Sequence, residues 1–427
     1  MGKSKYPEII KINMDGKKVD ATRCEGSVID PVGFVATVEN RVFRLITPSW
    51  AEDVKNLLSL PNIKAIFETG LIETYITPYT AKGYPLIVEH EKFPFKSLYH
   101  EWAPNMVKDA AQTICRLGKI LYEAGYSYKD GNLPNLTFIH STPKFFDLGS
   151  IIPIKKLPNS GAHKFPLEFS GAFIQQTGTT LEKHTHNITK DGILKIRNDF
   201  KDNAVGFFDA IDKYLEGANF IIPLTEWAGY GRKRFNFNRL NPKQKAVYTI
   251  LKRLKEEGMK TIVDIGGSKG AFSEPAADLG YHCATFDLDT TSVMNLYERV
   301  KESQRTITPL LMNFMEMTPR IRGHAPAHER LRSDISLYLA ITHHLSLGRG
   351  ISLDEQAKRL DKLTNHYSIV EFIPLTDKHV RARGGWKKPT EYSVGGFTKA
   401  MEKYGFELLE QIPGAPEPRV ILLYGRK

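Results

Sequence analysis

Cysteine is scarce in this chain: Cys24, Cys115 and Cys283 are the only three in 427 residues. They stand far apart, without the close pairs that a disulfide framework or a zinc site needs, and a reducing compartment is the expectation. Long apolar runs are missing too. None approaches the ~20 residues of a membrane-spanning helix. The opening stretch, "MGKSKYPEIIKINMDGKK", lacks the apolar centre of a secretory signal, and Tyr6 stands where a myristoylation pattern has Ser or Thr. These absences point to a cytoplasmic protein with no membrane span. Glycine is thin where a phosphate-covering loop would be expected: "RCEGSVIDPVGFVATVENRVFRLI" offers only Gly26 and Gly33. Internal repeats and low-complexity segments are also lacking.

What is present is ordinary for a globular protein, with 25% charged and 41% hydrophobic residues. The length exceeds one comfortable core, so two domains are expected. The formal charge of +11 biases the chain toward anionic partners. Its densest patch lies within residues 231–245, where Arg232, Lys233, Arg234, Arg239, Lys243 and Lys245 occur without an acid and Phe235 and Phe237 interleave. Such a stretch could stack and neutralise nucleic acid, or simply be a solvated linker. Composition breaks here, giving an N-terminal domain over 1–222, a basic linker over 223–240 and a C-terminal domain over 241–427. Asn241 and Pro242 form a helix-starting pair, and the apolar spacing of Ala246, Val247, Ile250, Leu251 and Leu254 gives that helix a buried face.

The C-terminal half alternates short apolar runs ("KTIVDIGG", "HCATFDLD", "ITPLLMNF", "ISLYLAIT", "YSIVEFIP", "VILLYGRK") with helical segments. That alternation predicts an α/β fold, a doubly wound parallel sheet covered on both faces. Ligands bind such sheets at the carboxyl ends of strands. At the first end stand Asp264, Gly266, Ser268 and Gly270, a D-x-G-x-x-x-G turn in which glycine lets backbone approach a ligand. Seventeen residues after Gly270 comes Asp287, an acid placed to accept ribose hydroxyls. Asp289 reads as a helix N-cap.

The turn resembles motif I of class I S-adenosylmethionine (SAM)-dependent methyltransferases, with Ser268 where many members have glycine. The following "LAITHHL" and Glu371, closing the fourth and fifth strands, look like the bacterial methyltransferases related to rhizobial host-specific nodulation proteins. The resemblance covers about the last 190 residues. It implies a Rossmann-like domain with SAM as cofactor. Asp264, Gly266 and Gly270 would line its methionine part, Asp287 its ribose, and Asn313 its adenine edge, with Ser268 a further cofactor-binding residue. His343, His344 and Glu371 are the catalytic candidates, since a hydroxyl nucleophile gains from a nearby base. Helix capping or strand-end hydrogen bonding is the alternative for the histidines.

Earlier in the chain, "YKDGNLPN" and "FFDLGS" place Asp130 five residues before Asn135, and Asp147 twelve after it. A long amphipathic helix, apolar at Val107, Ala111, Ile114, Cys115, Leu117 and Leu121, feeds that loop. The spacing resembles the catalytic loop and D-F-G segment of kinase-like folds over roughly residues 25–220, implying an α+β domain. Asn135 and Asp147 would hold Mg²⁺ if the domain binds ATP. The usual lysine is missing, and Arg44 is the nearest cation in its place.

The expectation is therefore a SAM-dependent methyltransferase acting on a hydroxyl of a sugar, glycan or related small metabolite, with a degenerate kinase-like N-terminal domain. Two alternatives stand beside it: a bifunctional kinase-methyltransferase, and a nucleic-acid-binding protein or RNA methyltransferase using the basic linker.

Overall fold

The computed structural model describes residues 6–27, 30–157, 165–223, 225, 240–321, 323–383 and 389–427, with side chains from residue 171 onward in the helix that begins at Phe165. The chain forms two compact units. One comprises Met1–Phe93, Pro104–Ile222 and Arg320–His324, the other Pro94–Ala103, Pro223–Pro319 and Ala325–Lys427.

The first unit begins with a seven-stranded antiparallel sheet. Its spatial order is Thr74–Ile76, Leu86–His90, Arg41–Ile46, Gly33–Val38, Lys17–Arg23, Ile9–Met14 and Thr80–Ala81. Alternation sends Ile12, Ala21, Phe34, Ala36, Phe43, Leu45 and Ile87 to one packed face. The helix expected from the spacing of Val107 to Leu121 spans Pro104–Glu123, and all six of its marked apolar residues are buried. It packs on the helix Ala204–Glu216 so closely that a Cβ at Gly118 would lie 2.5 Å from the Phe208 ring. Residues 155–200, which carry no clear pattern in sequence, include two helices, Phe165–His184 and Lys190–Asp199.

Labels from here on refer to the second unit. Its strands are β1 (Thr261–Ile265), β2 (His282–Asp287), β3 (Ile307–Leu311), β4 (Ser333–Leu339), β5 (Thr364–Phe372), β6 (Phe406–Pro413) and β7 (Val420–Arg426). The spatial order is β3-β2-β1-β4-β5-β7-β6. The first five are mutually parallel, and β7 runs antiparallel between β5 and β6. Order reverses between β1 and β4, so the sheet is doubly wound and its crevice opens beyond the end of β1.

Helices α1 (Pro242–Glu256), α2 (Ser273–Asp278) and α3 (Thr290–Ser303) cover one face, through Val247, Ile250, Ala276, Leu296 and Val300. Helices α4 (Leu353–Leu363) and α5 (Val394–Glu402) cover the other, through Leu360, Leu363, Phe397 and Met401. α1 starts as its sequence dictates: Asn241 accepts from the Gln244 N–H while Gln244 reaches back to the Asn241 N–H. Glu101 and Arg330, both almost fully buried, form an ion pair that ties the Pro94–Ala103 segment into this unit.

Candidate cofactor and active site

The turn after β1 is a cradle of bare backbone. Gly266, Ser268 and Gly270 have φ of +62°, +50° and +76°. Glycine adopts this left-handed region freely, whereas Ser268 does so under strain. A Cβ at Gly266 would lie 2.7 Å from Ile341 Cδ1, and one at Gly270 2.6 Å from Leu296 Cδ1. The protein's own side chains thus pack against both glycines and leave no room for a Cβ.

Two carboxyls brace the cradle. Asp264, 3% exposed, accepts from the Ser273 hydroxyl. Burial pushes its pKa up to about 7, opposed by the Ser273 bond and helped by the Asp287 charge. Asp287 closes β2 and accepts from two backbone donors, the Ser268 N–H at 2.9 Å and the Asp289 N–H at 2.9 Å. Burial raises its pKa, and these backbone bonds oppose the rise. Asp287 therefore holds the backbone of Ser268 in place. Gly266, Ser268, Gly270, Asp264 and Asp287 are brought together at the adjoining ends of β1 and β2.

Asp289 departs from its expected role. It occupies the position before α3, but its carboxylate caps no backbone N–H. It accepts instead from the Ser292 hydroxyl at 2.6 Å and from the Thr225 hydroxyl at 3.3 Å. Asn313 follows β3 and caps a short turn, its Oδ1 accepting from the Met315 N–H at 3.0 Å. Its amide nitrogen reaches Glu316 at 3.4 Å.

The histidines lie beyond β4 rather than at its last residue. The strand ends at Leu339, Ala340 turns at φ +61°, and His343 leads into a wide helical turn, His344–Gly348. The two rings sit 4.0 Å apart, tilted by 45°. Burial, then the His344 and Arg419 charges, push the His343 imidazole down to about 3. His343 is consequently neutral across the working range and a weak proton acceptor. His344 is the more exposed of the pair.

Glu371, fully buried at the end of β5, faces Lys243 Nζ at 2.5 Å. Lys243 is a site residue that sequence reasoning placed only in the basic patch. The signal that could have found it is its position in the first turn of α1, the helix immediately preceding β1. Of that patch, residues 231–239 lie outside the described residues.

In the first unit, the acids expected to be kinase-like are close together. Asn135 donates its amide to the Asp130 carbonyl at 2.7 Å. Asp147 accepts from Arg44 at 2.8 Å and from Ser150 at 2.5 Å. Arg44 also donates to Asp30 at 2.7 Å, a partner the sequence did not single out. Despite its burial, Arg44 is held above the usual arginine range by the Asp147 and Asp30 charges. Asp147 is pulled below the carboxylate range by Arg44 and Ser150, against its burial. Both Asp147 oxygens are thus already engaged, with a guanidinium beside them. That set does not fit a divalent cation, and no step is assigned to Mg²⁺ or ATP. Among the described residues, no group of three or more His, Cys, Asp or Glu is placed to hold a metal, and no helix is long and apolar enough to cross a membrane.

No family model matches this chain. It is 23% identical over 184 residues to the nodulation protein NoeA of Rhizobium meliloti (strain 1021), covering 42% of this chain. The chain spans 38% of that protein's length. The resemblance to rhizobial nodulation proteins read from motif order is therefore found, at low identity. Among solved structures it is similar to the magnesium protoporphyrin IX methyltransferase of Synechocystis PCC 6803 with bound SAH, at 15% identity and a TM-score of 0.34, over 46% of this chain and 91% of that one. It is also similar to the bifunctional kinase-methyltransferase WbdD, at 15% identity and a TM-score of 0.33, over 47% of this chain and 41% of that one.

Proposed function

We propose that the second unit is a SAM-dependent methyltransferase whose acceptor is a hydroxyl on a sugar, glycan or related small metabolite. The observation that carries this reading is the turn after β1. Its left-handed backbone is clamped by Asp287 at the switch point of a doubly wound sheet. Gly266, Ser268 and Gly270 would hold the methionine part of SAM, Asp287 the ribose, and Asn313 the adenine edge. When bound, SAM supplies an electrophilic methyl group on a sulfonium.

The protein's part is to orient the acceptor for in-line attack and to receive its proton. His344 is assigned that proton, because His343 is buried and too weakly basic to take it. The hydroxyl class rests on this base and on the family resemblance. The assay is methyl transfer from isotope-labelled SAM to a panel of sugars and glycans. His344→Ala should lose about 10²–10⁴-fold in turnover with SAM affinity little changed. Full activity in His344→Ala and His343→Ala would point to an amine, thiol or phosphate acceptor instead.

For the first unit the reading is a degenerate kinase-like module of a cytoplasmic protein. The bond from Asn135 to the Asp130 carbonyl favours a kinase-like loop. Arg44 on Asp147 counts against phosphoryl transfer by it, and so against the bifunctional reading.

A further inference from the structure

Beyond the ends of β4 and β5 the chain gathers a group of charges around the histidines. Leu339 lies opposite Glu371 in the β4–β5 pairing, and Phe372 opposite Val420 in the β5–β7 pairing. His343, four residues past Leu339, and Arg419, just before Val420, therefore come to the same end of the sheet. Asp377, in the loop after β5, is 0% exposed. It accepts from the His379 N–H at 2.8 Å and from Arg419 Nε at 2.9 Å. Burial alone would raise its pKa, but the Arg419 and His379 bonds hold it below the ordinary carboxylate range. Asp377 is thus a fixed anion that aims the Arg419 guanidinium.

Only one edge of that guanidinium is engaged. Among the described residues, neither Nη group of Arg419 donates a hydrogen bond, and Glu371 Oε1 stands 3.8 Å from Nη1, beyond hydrogen-bond reach. Glu371 is already matched by Lys243. From Ile373 to Arg383 the sequence carries Lys378, Arg381 and Arg383 against a single acid, Asp377. The field at this end is positive: after burial, the charges that lower the His343 pKa are those of His344, Arg419 and Arg383, opposed by Asp377. A neutral sugar pressed against Arg419 would strip water from its Nη groups and return no charge. A two-oxygen anion matches the fork of N–H donors.

We infer that the acceptor carries a carboxylate or phosphate close to the hydroxyl that is methylated, and that Arg419 binds this anion with Arg383 adding to the attraction. This rests on the methyltransferase reading above and narrows its acceptor to acidic sugars and metabolites.

The test titrates the full chain, first with SAM and then, saturated with SAM's demethylated product, with glucose, glucuronate and glucose 6-phosphate. These three share a ring and differ in the group at carbon 6. Wild type should bind at least one of the charged sugars about tenfold or more tighter than glucose, as a charge-assisted contact implies. Tighter glucuronate identifies a carboxylate, and tighter glucose 6-phosphate a phosphate. Arg419→Gln should abolish the preference with SAM affinity unchanged, and Arg419→Lys should keep part of it. Arg383→Gln, at an exposed position, should reduce the preference by about threefold, and it reads the site independently if Arg419→Gln does not fold. SAM binding without any preference for a charged sugar, or with the same preference in Arg419→Gln, would overturn the anion site and leave the methyltransferase reading intact. Absence of SAM binding by wild type would overturn both.

Discussion

Ser268 is the one non-glycine at a left-handed position in the cradle, and its backbone is held there by Asp287. Strain of this kind costs roughly 1 kcal/mol for a residue with a Cβ. Ser268→Gly should therefore leave thermal stability unchanged or slightly raised, whereas Ser268→Val should lower the melting temperature by several degrees. The strain is invisible in the sequence, which shows only that a serine stands among glycines.

Asp264 makes a second residue-scale prediction. Its folded pKa, about 7, lies well above the ordinary aspartate value of 3.8. Between those values the folded state holds a proton that the unfolded chain has released, so stability falls as pH rises from about 4 to about 7. Asp264→Asn should lack that decline, and melting curves of both proteins across this range check it. Lys243 and Asp30 show where residue-scale reading stops. A charge in sequence does not say which way its side chain turns, and both became site residues only when the fold supplied Glu371 and Arg44 as neighbours.

At the scale of elements, legibility followed burial. The runs read as strands 1 to 5 and 7 are mostly buried and so read as largely apolar segments, as β1 and β7 do. β6, "FELLEQIP", was missed: it alternates between core and solvent at the sheet edge and carries two glutamates and a glutamine. α1 was legible down to its cap, because Asn241, Pro242 and Gln244 are local signals. The helix Phe165–His184 was not, since Gly171, Gly178 and a run of threonines weaken its pattern.

The Pro94–Ala103 segment was equally unreadable, because its attachment depends on the distant Arg330. Glu101 accepts from Arg330 Nη1 at 3.1 Å and from its own segment through the Leu98 N–H at 2.8 Å. Removing one member of a buried pair strands the other. Arg330→Met should destabilise this unit by about 3–5 kcal/mol, measured by denaturant unfolding followed through its own transition.

Across the whole molecule, the two sets of motifs have unequal chemical standing. In the first unit the Arg44 guanidinium occupies Asp147, the one acid among the residues that a nucleotide's metal would need. ATP hydrolysis by the purified protein should accordingly be no faster than by Asp147→Asn, and hydrolysis lost in both Asp130→Asn and Asp147→Asn would promote a bifunctional enzyme. In the second unit, the turn, its clamp and the reversal of strand order agree on one place for a ligand.

The central claim is that this place takes SAM, and calorimetric titration of wild type and Asp287→Ala with SAM tests it most directly. Wild type should bind, and the variant should bind more weakly by about 2 kcal/mol, because a buried hydroxyl partner and the clamp on Ser268 are lost together. Absence of SAM binding by wild type would contradict the account, and equal affinities would remove Asp287 from the site.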